Sequence, residues 1–276
     1  DLFKKSEEHL EDKIAFSSVK KKIIYNKEQI EVIDSIKSSL KLKKFSSNLL
    51  HGVTGSGKTE IFIESIKTVM EMGKSSIILI PEISLTPQIA GRFKDVFGEG
   101  IALWHSQLTK AQRAETWDSI NAGESKIVIG ARSAIFSPIK NLGLIIVDEE
   151  HDASYKQESP SPRYHARDVA IMRGKIENCL VVLSSATPSL ETFYNYKVKK
   201  HNYLSLPKRY GVAVYPKVKV VDLIDESRET GKFNIIISGA LQQKIEERLS
   251  NNEQVLLIQN RRGYSPTVKC SDCGNI

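Results

Sequence analysis

The sequence predicts an α/β fold built on a doubly wound parallel sheet, and two observations carry that prediction. The first is a series of short apolar runs, "NLLHG", "SIILI", "IALWH", "KIVIG", "LGLIIVDE" and "CLVVLSS". Continuous Val, Ile and Leu runs belong to strands buried on both faces. The second is what lies between most of them: amphipathic stretches at 60–72, 86–97, 109–121 and 164–176 that read as helices. Strands alternating with helices form a parallel sheet covered on both sides.

In chain order, 1–24 is charged and weakly periodic and reads as a linker or tail. It opens on Asp1 rather than Met, as expected of a piece of a longer protein. Ile30, Ile33, Ile36 and Leu40 then fall on one helical stripe, with Asn26 as N-cap and Gln29 three residues on. Residues 25–200 are expected to form one α/β lobe. Past Leu190 the rhythm changes, and "HNYLSLPKRYG" reads as a connector. "YPKVKVVDLI", a helix around 241–249 and "QVLLIQN" read as the start of a second α/β lobe, 201–276.

Composition narrows the function classes. Of 276 residues, 40% are hydrophobic, enough for a buried core. A net charge of +7 permits a nucleic-acid partner without demanding one. Three cysteines exclude a disulfide scaffold and favour a reducing compartment. No apolar run reaches membrane-spanning length, and there is no signal-peptide pattern.

The stretch "GVTGSGKT" lies between the strand "NLLH" and the helix "EIFIESIKTVM", the strand–loop–helix setting of a phosphate loop. Gly52, Gly55 and Gly57 allow close backbone approach, so the amides from Thr54 to Ser56 can wrap a phosphate. Lys58 is placed to reach the β and γ oxygens of ATP, and Thr59 to hold Mg2+. "LGLIIVDEEH" is an apolar strand ending in acids. Asp148 is the natural Mg2+ partner and Glu149 the general base for the attacking water. Gln29 lies upstream of the loop, where it can cap a helix or read adenine.

"SSATPS" follows the strand "CLVVL" and supplies Ser185, Ala186 and Thr187. Together with the phosphate loop and the D-E-E-H run, this resembles a superfamily 2 helicase. Four further stretches sharpen the match: "LIPEISLTPQI", "LWHSQLTKAQRAETW…IVIGARSAIFSP", "EEHDASYKQESPSPRYHARDVA" and "LLIQNRRGYSPTVKCSDCG". Jointly they resemble the PriA family of bacterial replication-restart helicases, from about Asn26 to Ile276.

The resemblance implies a RecA-like first lobe, the beginning of a second, and ATP-dependent 3′ to 5′ DNA unwinding. It implies recognition and remodelling of stalled forks and initiation of primosome assembly. ATP and Mg2+ are the implied cofactors, and forked and single-stranded DNA the implied partners, with single-stranded DNA-binding protein and other primosome proteins. The implied location is the bacterial cytoplasm, with no membrane role, and 1–24 would follow an N-terminal DNA-binding region. His151, Ser185, Ala186 and Thr187 would link nucleotide state to lobe movement. Arg132 and Ser133 would touch the DNA backbone. The segment from Tyr155 to Asp168 resembles a loop that senses single-stranded DNA. In it Tyr155 and Tyr164 would stack on bases, while Lys156, Arg163 and Arg167 meet phosphates.

Cys270 and Cys273 have the spacing of two ligands on one zinc knuckle. By resemblance they begin a Zn2+-binding insertion in the second lobe. Cys179, which opens an apolar run, reads as a core residue. Two other readings compete: another superfamily 2 translocase, such as a repair or restriction motor, or a nucleotide-gated DNA-binding module without unwinding. The "NRRGY…CSDCG" tail opposes the first, and intact Lys58 and Glu149 oppose the second. The isolated fragment is expected to have little activity.

Overall fold

The computed structural model describes residues 24–81, 87–211, 216–231 and 235–258, without the side chains of 87, 88 and 99. Two compact units divide the chain, 1–214 and 215–276.

The first unit opens with α1 (Lys27–Lys41), β1 (Ser46–Gly52), α2 (Lys58–Glu71) and β2 (Ser75–Leu79). It continues through α3 (Pro87–Phe97), β3 (Ile101–Trp104), α4 (Lys110–Ala122), β4 (Ile127–Gly130) and β5 (Leu142–Val147). A short antiparallel pair, β6 (Lys156–Gln157) and β7 (Tyr164–His165), leads into α5 (Ala166–Ile176). Then follow β8 (Leu180–Ser185), α6 (Leu190–Lys197) and β9 (Asn202–Leu206). The main sheet has seven strands in the order β3-β4-β2-β5-β8-β1-β9, and every pairing is parallel.

Alternation along the strands makes the sheet doubly wound. Leu50, Ile78, Ile146 and Val182 face a core completed by Ile33 and Ile36 of α1, Ile61 and Ile66 of α2, and Phe93 of α3. Ile77, Ile145, Val147 and Val181 face the other core, with Ile120 of α4 and Ala166 and Ala170 of α5. Both faces are buried, which is why the strands read as unbroken apolar runs.

Four expectations change. Ile30 is off the buried stripe at 47% exposure, and Val32 takes its place, as the true 3.6-residue turn requires. "HNYLSLPKRYG" is no mere connector: β9 within it pairs with β1, so the first unit runs past 200 to 214. The run 216–222 forms no strand; α7 (Leu223–Thr230) starts just after it, capped by Asp222, and Val218 and Val220 are exposed. Nor do 254–258 form a strand among the described residues. A strand exists only with a ladder partner. In the second unit the expected helix is present as α8 (Gly239–Ser250). Cys270, Cys273 and 1–23 lie outside the described residues.

Candidate functional site

The carboxyl ends of β5, β8 and β1 lie side by side in the sheet, and each carries part of the site. After β1 the chain turns through Gly55 (φ +80°) and Gly57 (φ +87°) into α2. Gly57 is required: a Cβ there would stand 2.4 Å from Gln29 Nε2. That Nε2 donates to the Ser56 carbonyl at 2.9 Å, while Gln29 Oε1 accepts from the Asn26 N–H at 2.9 Å. Gln29 therefore caps α1 and braces the loop at once, and it is 2% exposed. This favours its capping role over adenine reading. Thr54 and Gly55 are exposed, and Ser56 is buried with its hydroxyl unpartnered.

Lys58 spans the gap between strands. Its Nζ donates to the Gly52 carbonyl at 3.1 Å and to Glu149 Oε1 at 3.2 Å, with 10% of the side chain exposed. Thr59 follows in the first turn of α2, partly exposed. Beyond β5, Asp148 accepts from the Ser184 hydroxyl at 3.1 Å and anchors its N–H on the Leu79 carbonyl. Burial, then the neighbouring Glu149 charge, push its carboxyl up to about 6. Glu149 sits in the left-handed backbone region at φ +45°. This cradle fits a polyphosphate and a divalent cation: the turn is opened by two glycines of positive φ, the Lys58 ammonium stands beside it, and the buried Asp148 carboxylate lies across from it without a full counter-charge.

His151 lies beside the Ser-Ala-Thr turn. Its Nδ1 meets Ser185 Oγ at 2.8 Å, and Nε2 meets Thr187 Oγ1 at 3.4 Å. The Ala186 carbonyl receives His51 Nε2 at 3.2 Å. The phosphate loop, the acidic turn and Ser-Ala-Thr are thus brought together.

The DNA-side residues divide. Arg132, on a 3-10 turn (Arg132–Phe136), donates to the carbonyls of Ser154 (3.3 Å) and Lys156 (2.8 Å) and lies over the Tyr164 ring at 5.8 Å. Ser133 Oγ accepts from Trp104 Nε1. Both edge a cleft of about 310 Å3 with His105, Ser106 and Arg113. Lys156 and Arg163 are exposed, Lys156 paired with Glu158. Two residues do not fit their expected role. Tyr155 has no exposed surface; its hydroxyl donates to the Asp148 carbonyl at 2.7 Å, and burial pushes the phenol far up. Such a ring cannot stack on a base. Arg167 is 12% exposed and bound to Glu150, Asp168 and Ser189, so it has no free face for a phosphate. Its aromatic and basic surroundings gave it the look of a contact residue; two of its partners, Glu150 and Ser189, lie 17 and 22 residues away in sequence.

A family model described as DEAD/DEAH box helicase matches residues 26–195, the span that holds all three motifs. The chain belongs to this helicase family. Among curated relatives, it is 46% identical over 249 residues to "Replication restart protein PriA" of Bacillus subtilis (strain 168), covering 90% of this chain and 31% of that protein. The relative of the same name from Chlamydia muridarum is 47% identical, with 89% and 32% covered. The chain thus spans about a third of the length of the curated relatives it matches. The fold is shared with solved helicases: RecG bound to a three-way DNA junction (TM-score 0.52, 22% identity, 69% of this chain and 25% of that one) and MrfA (0.53, 16%, 87% and 36%).

In this DEAD/DEAH box chain, two positions escaped the sequence reading. Glu150 stands in the acidic run with no role of its own in the pattern, yet it is wholly buried and accepts four hydrogen bonds. His51 closes an apolar run, a polar residue where none is expected. Its Nδ1 pairs with the Tyr203 hydroxyl on β9 at 2.8 Å, while Nε2 donates to the Ala186 carbonyl.

Proposed function

We propose that this chain is the ATP-driven part of a replication-restart DNA helicase that moves 3′ to 5′, remodels stalled forks and starts primosome assembly. The observation that carries the reading is the 3.2 Å contact between Lys58 and Glu149, which puts phosphate ligand and water-activating base at one point. The 44–47% identity to relatives named for replication restart supports the biological role. Lys58 moves from Glu149 onto the β and γ oxygens of ATP, and Glu149 is freed. Glu149 then takes a proton from water as its oxygen attacks the γ phosphorus and the bond to the ADP oxygen breaks. Asp148 and Thr59 would hold Mg2+, which supplies charge neutralisation on the phosphates. His151, Ser185 and Thr187 report that state to the following elements. Arg132, Ser133, Lys156, Arg163 and Tyr164 carry single-stranded DNA.

Forked DNA, single-stranded DNA-binding protein and the other primosome proteins are the proposed partners, and the bacterial cytoplasm the proposed site of action. No helix among the described residues is long and apolar enough to cross a membrane. The test is Lys58→Ala in the intact protein. Removing one transition-state contact lowers the rate roughly a hundredfold, on the order of 3 kcal/mol. Fork binding should persist; hydrolysis at the wild-type rate would overturn the assignment.

Cys270 and Cys273 are proposed as two ligands of a zinc site completed elsewhere in the intact protein, because a structural site takes four. Metal analysis after dialysis should find zinc in the intact protein, less in Cys270→Ser, and little in the 276-residue chain. Stoichiometric zinc in that chain alone would contradict this.

A further inference from the structure

The glycine-opened loop, Lys58, Thr59 and Asp148 account for the phosphates and their cation, but none of these groups holds the base. Gln29 is committed elsewhere: its amide is buried, with Nε2 on the Ser56 carbonyl and Oε1 accepting from the Asn26 N–H. Tyr25 is committed as well. Its ring packs against the core, and burial, then the charge of Glu64, push its phenol far up. The base therefore needs another partner, and a flat heterocycle is well served by an aromatic face.

One such face borders the loop. Past β9, residues 207–211 run along the glycine turn as a strap, and four contacts tie the chain there. The Val53 N–H donates to the Leu206 carbonyl at 3.1 Å, and the Tyr210 N–H to the Gly55 carbonyl at 2.8 Å. Lys208 pairs with Glu28 in the first turn of α1 at 3.0 Å. The Tyr210 hydroxyl donates to the Ile24 carbonyl at 3.1 Å. Arg209 lies against the same turn, for a Cβ on Gly55 would stand 3.9 Å from its Cγ.

The exposed ion pair alone would contribute little. The backbone bonds and the hydroxyl bond fix the strap firmly, and they hold Tyr210 at both its backbone and its ring tip. Yet Tyr210 is 50% exposed and belongs to neither core, and Ile24 at its tip is 73% exposed. Burial does not account for a ring in this position. A ring already fixed at both ends loses little further freedom when a flat ligand settles on it.

We propose that Tyr210 is the platform on which the adenine ring of ATP stacks, with the 207–211 strap setting its distance from the phosphate loop. The proposal rests on the ATP reading above and adds a base-binding residue to it. The base lies one sugar beyond the phosphates, and the bond from Tyr210 to the Gly55 carbonyl puts the ring at that border. Stacking uses a π face and no particular base edge, so Gln29 is not needed to read the base, and a two-ring purine gains more than a one-ring pyrimidine.

The test uses the intact protein with Mg2+ and three probes that are not turned over: ADP, UDP and pyrophosphate. Dissociation constants come from titration calorimetry. Wild type binds ADP about tenfold or more tighter than pyrophosphate, with UDP between them, because pyrophosphate carries no base. Tyr210→Leu weakens ADP binding about tenfold and leaves pyrophosphate within about twofold. Tyr210→Phe, which keeps the π face, holds ADP affinity within about threefold of wild type. A folded Tyr210→Leu with full ADP affinity overturns the platform. So does an equal loss for ADP and pyrophosphate, which makes the strap a brace for the loop alone. Should Tyr210→Leu fail to fold, the wild-type comparison decides: equal affinities for ADP and pyrophosphate overturn the platform while the phosphate-loop reading stands. Wild type that binds neither removes that reading, and the platform with it.

Discussion

Individual residues show how proximity in space assigns roles that proximity in sequence does not. Lys58, Asp148 and Glu149 were legible because the phosphate loop and the acidic strand end are local patterns, each dictated by its own few residues. Tyr155 and Arg167 depart from their expected roles because burial and partners outside their own loop decide them: Asp148 for the one, Glu150 and Ser189 for the other. Asp148 yields a pH prediction. Its folded pKa, about 6, stands above its ordinary value of 3.8, so the folded form holds its proton where the unfolded chain has lost it. The stabilising contribution is full below 3.8 and is lost as pH rises through about 6. In EDTA without nucleotide, Asp148→Asn should match wild type in acid and exceed it above about pH 6 by on the order of 3 kcal/mol. Denaturant unfolding across that range checks it. A gap that narrows as pH rises has the wrong sign and would show that Asp148 is not destabilised by its surroundings.

At the scale of elements, strand and helix positions followed the sequence closely, because a doubly buried strand must be apolar throughout and a helix in this fold must show a stripe. The capping box at Asn26 and Gln29 is present as expected. The strand β9 was missed for a physical reason. It lies at the sheet edge, where Leu204 and Leu206 are buried while Asn202 and Ser205 face water, so its five residues carry no continuous run. Its worth can be measured. The piece 1–211 should unfold cooperatively, whereas 1–200 should not, since it uncovers the β1 edge and removes Leu204 and Leu206. Burying two leucines is worth about 3 kcal/mol or more, and a bare central edge invites aggregation. Equal midpoints in circular-dichroism melts of the two pieces would deny β9 a structural role. The second unit was less legible for the opposite reason: 218–221 and 254–258 have the composition of strands but no described partner to pair with.

For the whole molecule, charge is the informative quantity. A net charge of +7 is modest, so DNA affinity should rest on a few placed cations rather than a general field. If the exposed Arg163 meets a phosphate, Arg163→Ala should reduce the slope of log affinity against log salt by about 0.7 for single-stranded DNA. A slope that stays put in fluorescence-anisotropy titrations takes Arg163 off the DNA path. The sheet order has a further consequence, for how the molecule is made. Of the seven strands of this sheet, the one bearing the phosphate loop leaves the ribosome first, yet both its neighbours are late: Ser46 pairs with Leu180, and Asn48 with Asn202. At ordinary elongation rates it waits about ten seconds for them, apolar and unpaired. The nascent protein is therefore most in need of a chaperone while the middle of its own sheet is still being translated.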